Sequence, residues 1–398
     1  MTPEIKQRID KICHGEVPEG YQRTFLGIAP KSWDKSRIDK ICRLSSGSTP
    51  RRDAVENFAG DILWVTSGEL KRRTIEDTRE KISETAVVNS HLEIYDPGTV
   101  VIAIYGLEAA GIRGTVSIIG KQCTISQACM AFTEFKGIDN EFFYYWYLNN
   151  GQVIGLRYAQ GTKQQNLSTD IVGSFPICFP SQGEQQKIAA ILTTQDRVIE
   201  LKEKRLAGKQ RQKKYLMQQL LTGKKRLPGF SGAWKNIKLC EVLSERKEKN
   251  IEQNLRICSV AVQKGVIDQI EHLGRSYAAS DTSNYSVAHY GDIIYTKSPT
   301  GDFLYGIVKQ NLLQETVAVS PLYGVFTPMT FGLGYFLHTY FQSAICAQNY
   351  LLPIVQKGAK NTINITNDTF ISSKLYLPLD VEEQKAIADT FIAADREI

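Results

Sequence analysis

The 398-residue sequence contains no run of about 18 uncharged apolar residues, so nothing in it is long enough to cross a bilayer as a helix. Its opening, MTPEIKQRIDKICHGEVPEG, is interrupted by charge and lacks the apolar centre of a secretory leader. A cytoplasmic protein is expected. The eight cysteines (Cys13, Cys42, Cys123, Cys129, Cys178, Cys240, Cys258 and Cys346) form no CxxC pair. None of the five histidines (His14, His91, His272, His289 and His338) has another within three to five residues. Spacing therefore excludes a tetrahedral zinc site, and reduced thiols are expected.

Signatures of catalysis are missing as well. There is no (N/D)PPY-type tetrad or glycine-rich cofactor loop for a methyltransferase, and no GxxxxGK(S/T) loop to wrap phosphate in backbone amides. No histidine stands beside an evident nucleophile. The one nuclease-like arrangement, Asp61 with Glu69-Leu70-Lys71, places two carboxylates and a lysine at a metal-holding spacing. It has no counterpart in the second half, and such patterns arise readily among 42 acidic and 48 basic residues. No catalytic residue and no metal site are assigned.

What the chain has is a repeat, and repeats decide the architecture before local structure does. Glu184-Gln185-Gln186-Lys187-Ile188-Ala189 recurs as Glu383-Gln384-Lys385-Ala386-Ile387-Ala388, and seven of sixteen positions match at an offset of 199. Upstream, Ser126 and Phe132 fall on Ser320 and Phe326. The aromatic run 142–148 falls on 335–341, Gly161-Thr162-Lys163 on Gly358-Ala359-Lys360, and Trp33 on Trp234. Within each half, short β-rich runs bounded by glycine (98–104 and 291–295) predict strands. The aromatic runs predict core. Each half is thus expected to be an α+β unit.

Between the halves lies a different object. From Glu184 to Thr222 there is no proline and only Gly208, and a 4-3 spacing picks out 188, 192, 195, 199, 202, 206, 209, 213, 216 and 220. Thirty-nine residues of helix span roughly 58 Å, too long for a linker within one domain, and the stripe calls for a partner helix. Gly223 stops it, and Leu227-Pro228-Gly229 starts the second half. From Glu200 to Arg226, ten Lys or Arg face two Glu, a net of +8 against +6 for the whole chain. This run suits either a solvated helix face or a polyanion.

Two globular units, each followed by a helix that opens with Glu-Gln shortly after a proline, resemble the specificity subunits of type I restriction-modification systems. The resemblance is carried by Gln160-Gly161-Thr162-Lys163-Gln164-Gln165-Asn166-Leu167-Ser168-Thr169 leading to Pro180 and Glu184-Gln185-Gln186-Lys187-Ile188-Ala189. Leu216-Met217-Gln218-Gln219-Leu220-Leu221-Thr222-Gly223-Lys224 adds to it. It implies an α+β fold with two tandem target recognition domains separated by long helices that pack as an antiparallel coiled coil. Five segments follow: an N-terminal helical segment (1–24), recognition domains at 25–180 and 225–379, a spacer helix at 181–224, and a shortened C-terminal helix at 380–398. The resemblance further implies that each domain reads one half of a split, asymmetric double-stranded DNA site. Two methyltransferase subunits would bind the helices and bring S-adenosylmethionine, and motor-nuclease subunits would join them; this chain itself would hold no cofactor. A coiled-coil scaffold for protein partners and a nuclease with fused recognition domains are the rival readings.

Candidate DNA contacts are the basic, loop-like clusters Ser48, Thr49, Arg51, Arg52 and Lys71, Arg72, Arg73. The repeated segment adds Lys163 and Gln164 in the first half and Lys357, Lys360 and Asn361 in the second, and Lys297 completes the set. Lysine and arginine neutralise phosphates, while arginine, glutamine and asparagine also bond base edges. The second helix stops at Ile398, the equivalent of Ile199. The stripe Ile5-Ile9-Ile12 leads to the expectation that residues 3–14 form a helix docked where the second helix is cut short.

Overall fold

The structure, a computed structural model, describes residues 2–104, 115–158, 167–275, 278–357 and 363–398. Side chains of 152, 155–158, 356, 357, 363 and 364 are outside that description. The chain divides into two units, Met1–Glu200 and Leu201–Ile398.

Unit 1 is built on a five-stranded sheet in the order Arg43–Ser46, Cys129–Thr133, Val100–Ala103, Val116–Ile119, Thr74–Ile75. The last two run parallel and the others antiparallel. The run expected to be a strand is Val100–Ala103, buried at every position. Its two-residue period divides it between two cores. Val100 and Ile102 join a cluster with Phe132, Phe143 and Tyr147, whereas Val101 and Ala103 join one with Val65, Ile119 and Ile125. A smaller sheet sets Cys123–Ile125 parallel to Ile62–Val65, which also pairs with Lys81–Ile82. The aromatic run lies on helix Asn140–Tyr158 and is core, as expected: Phe143 and Tyr147 are fully buried, and Phe143 meets Phe132 edge-on at 4.9 Å.

Unit 2 repeats the plan. Its main sheet runs Leu243–Glu245, Gly324–Pro328, Ile293–Tyr295, Val308–Gln310, the first four strands of unit 1 in the same order. A second sheet again contains a parallel pair, Arg256–Ala261 with Val317–Val319. The aromatic run 335–341 lies largely on helix Phe331–Tyr340, with Phe336 fully buried. The recurring Glu-Gln also does a repeated job. Gln185 donates to the carbonyl of Pro180 and Gln384 to that of Pro378, each at 2.9 Å, and both side chains are buried.

The spacer helix is continuous from Gln182 to Leu220, and Gly223 beyond it has φ +68°, which a side chain would resist. Positions 209, 213, 216 and 220 of the anticipated stripe do face a partner. Lys209 pairs with Glu397 at 2.5 Å and Lys213 with Asp395, so helix Val381–Glu397 runs antiparallel to this end. Leu216 and Leu220 join the unit 2 core. Nearer its start, Ile191, Leu192, Val198, Ile199, Leu201 and Leu206 are exposed.

Pro3–Cys13 forms the expected helix. No residue of it is buried, and Ile5 and Ile9 are each 43% exposed. Local chemistry supports it instead: Thr2 caps the Ile5 N–H, Glu4 and Lys11 sit at the dipole-complementary ends, and the Asp10 carbonyl meets the His14 ring at 2.7 Å. No described helix is long and apolar enough to cross a membrane.

Candidate nucleic-acid interface

Ser48, Thr49, Arg51 and Arg52 lie on the loop that follows strand Arg43–Ser46. Gly47 presses this loop onto the small sheet, where a Cβ would come within 1.9 Å of the Ile125 carbonyl. The Ser48 N–H donates to that carbonyl, and the Ser48 carbonyl accepts from Trp64 Nε1 at 3.2 Å. Arg52 is fixed: its guanidinium lies over Phe58 and Trp64, 4.7 and 5.3 Å from the ring centroids, and makes two bonds to Glu80, at 2.5 and 2.9 Å. Those bonds hold the Glu80 carboxyl below its usual range. Among the described residues Arg51, 83% exposed, pairs with Asp53 alone, an exchange for phosphate that costs little.

Lys71 and Arg72 follow a short turn at Ser67–Glu69 and are exposed. Glu69 builds the turn. Its carboxylate accepts from the Thr66 N–H and hydroxyl and from the Arg79 N–H, so the Glu69 of the Asp61/Glu69/Lys71 arrangement is spent on capping the turn. Among the described residues no group of His, Cys, Asp or Glu could hold a metal ion. Because Arg79 is tied to Glu69 and the adjacent Glu80 to Arg52, the two basic clusters belong to one loop system.

Arg73 points the other way. It is paired with Glu141, lies 3.8 Å from Asp196 and stands over the rings of Tyr144 and Tyr145. Burial opposes its charge, but bonds to Tyr145 and Glu141 prevail and raise its pKa. Asp196, near the start of the spacer helix, also accepts from the Tyr145 hydroxyl at 2.7 Å. Its repeat-equivalent Asp395 accepts from the Tyr335 hydroxyl at 2.8 Å and pairs with Lys213. Each unit is therefore pinned to a helix by an aspartate, a tyrosine and a cation. Sequence reading missed this device because its members are 51 to 182 residues apart.

In unit 2, Lys297 has φ +61° and is partly buried, which depresses its pKa, while Glu245 works the other way. Gly306 packs against it so closely that a Cβ there would come within 2.8 Å of the Lys297 backbone nitrogen, and that neighbour must be glycine. Lys357 lies on strand Gln356–Lys357, with its side chain outside the description. Lys163, Gln164, Lys360 and Asn361 lie outside the described residues. Two exposed lysines were overlooked. The offset of 201 between Trp33 and Trp234, applied to Ser46 and Ser48, leads to Lys247 and Lys249, on the loop that follows the equivalent strand.

The cysteines are all free thiols. Burial pushes Cys42, Cys123 and Cys129 up to about 12, and Cys258 to about 11, which makes them unreactive core residues.

Comparison with known proteins adds three findings. Residues 30–208 match the type I restriction modification DNA specificity domain. The chain is 30% identical over 188 residues to the type I restriction enzyme MjaIX specificity subunit of Methanocaldococcus jannaschii, covering 46% of this chain and 42% of that protein. It is 24% identical over 175 residues to the EcoR124I/EcoR124II specificity subunit of Escherichia coli, covering 43% of each. The matched region thus spans less than half the length of these relatives. A crystal structure of a type I restriction-modification S subunit from M. genitalium aligns over 92% of this chain and 90% of that one. Its TM-score is 0.59 at 13% identity, a likeness of fold.

Proposed function

We propose that this chain, whose residues 30–208 match the type I restriction modification DNA specificity domain, is the DNA-reading subunit of a type I restriction-modification complex. Each unit reads one half of a split, asymmetric site, and the spacer helix sets the unread gap. The observation that carries this reading is the doubled architecture: one sheet plan built twice on a single chain with different loops. Different loops on one scaffold suit two different half-sites. Lys71, Arg72 and Arg51 in unit 1, and Lys247 and Lys249 in unit 2, present exposed cations for backbone phosphates.

Two methyltransferase subunits dock on the helices, for which the exposed apolar row from Ile191 to Leu206 is suited. They bring S-adenosylmethionine, motor-nuclease subunits complete the complex, and this chain holds no cofactor and performs no catalysis. The test is binding of labelled duplex DNA by the chain together with its methyltransferase partner, with and without magnesium. Sequence-selective binding with a steep salt dependence and no cleavage is expected. Magnesium-dependent cutting by the chain alone would make it a nuclease, and absence of DNA affinity would make it a scaffold.

A further inference from the structure

The two units differ at one sheet edge. In unit 1, strand Thr74–Ile75 covers Val116–Ile119, and Arg73, leading into it, supplies the cation beside Asp196. Strand register equates Ser117 with Lys309: Ser117 pairs with Val101, itself opposite Ala131, and Lys309 with Ile294, opposite Val325. Among the described residues no fifth strand covers Val308–Gln310 in the sheet of unit 2. A cavity of about 510 Å³ opens there, lined by Lys213, Lys264, Lys309, Tyr335, His338 and Asp395 among others.

Its charge is lopsided. Lys309 is only 3% exposed, and its amine has no hydrogen-bond or ion-pair partner among the described residues. Burial, then the charge of Lys213, pulls its pKa down to about 8. Lys213 gives one proton to Asp395 and another to Gln342 Oε1 at 3.0 Å, leaving one of its three N–H donors. Asp395, the acidic side chain among the described lining residues, is already satisfied by Lys213 and the Tyr335 hydroxyl. His338 accepts the Gln310 N–H at 3.0 Å, and burial, then Lys309 and Lys213, push its pKa to about 3, so it stays neutral. Lys264 stands exposed on the turn at the mouth. The Lys309 side chain is buried along its length and lines the open cavity with its amine unpaired, so three lysine side chains stand around an Asp395 carboxylate that is already occupied.

We infer that this cavity is a binding site for a small phosphate-type oxyanion, held by Lys309 at the floor, the remaining donor of Lys213 at the side and Lys264 at the mouth. A duplex backbone stays at the protein surface and does not reach an amine so deeply buried, so the ligand is a free anion. The inference is independent of the DNA-reading proposal.

Isothermal titration of inorganic phosphate into the full chain, in chloride buffer of matched ionic strength, tests it. One phosphate per chain is expected, with affinity falling about tenfold or more in Lys309→Met and in Lys264→Glu. Lys264→Glu lies on an exposed turn and keeps the test decisive if Lys309→Met fails to fold. Three results would overturn the inference: no saturable binding, binding indifferent to both substitutions, or displacement of phosphate by a short DNA duplex.

Discussion

At the scale of single residues, the adjacent cations Lys71 and Arg73 have opposite fates. Lys71 is exposed on the loop, whereas Arg73 is engaged by Glu141, Asp196 and Tyr145. Lys71→Ala should weaken DNA binding and reduce the slope of log affinity against log salt by about one. Arg73→Ala should lower the melting temperature and leave that slope unchanged. Binding isotherms across salt, alongside thermal melts, separate the two, and a reduced slope for Arg73→Ala would return it to the interface. His338 gives a second residue-scale expectation. Its folded pKa of about 3 lies below the usual 6.5, so the unfolded chain takes up this proton first as the pH falls. The contribution is therefore fully present above pH 6.5 and lost as the pH falls from there toward 3. His338→Asn keeps an acceptor for the Gln310 N–H without the titration, so its stability, followed by denaturant melts, should fall less steeply across that window. An identical slope would mean that other groups carry the acid sensitivity. Sequence could identify Lys71 as a basic loop residue, but it could not separate it from Arg73, whose partners lie 68 and 123 positions away along the chain.

At the scale of elements, periodicity was informative wherever one element meets its partner locally. The 4-3 stripe identified positions 209 and 213, which pair with the antiparallel helix Val381–Glu397, and 216 and 220, which join the unit 2 core. The alternation in Val100–Ala103 became a strand shared between two cores. The same logic found the helix Pro3–Cys13, whose Ile5 and Ile9 are exposed. The spacer helix is open to a direct manipulation, since positions 200–207 are all exposed. Seven added helical residues lengthen the rod by two turns, about 10.5 Å, or about three base pairs at 3.4 Å each. With its methyltransferase partner, the variant should methylate sites whose half-sites are unchanged and whose gap is longer by about that amount. An unchanged gap would show that the helix does not set the spacing.

At the scale of the whole molecule, the internal repeat was the most legible feature. Offsets near 199 in the sequence became the same four-strand order in both units and the same glutamine-to-proline-carbonyl bond. Less legible was where the units depart from one another. The strand Thr74–Ile75 of unit 1, and the lysine-lined cavity at the equivalent edge of unit 2, arise from loops that share no pattern. Two units that share a frame and differ in loops lead to the central claim, that each reads its own half of one DNA site. The most direct test replaces residues 25–180 with the recognition domain of another specificity subunit and maps the methylated sequence produced with the methyltransferase partner. One half-site should change while the other half and the gap stay as they were. A change in both halves, or in neither, would contradict the account.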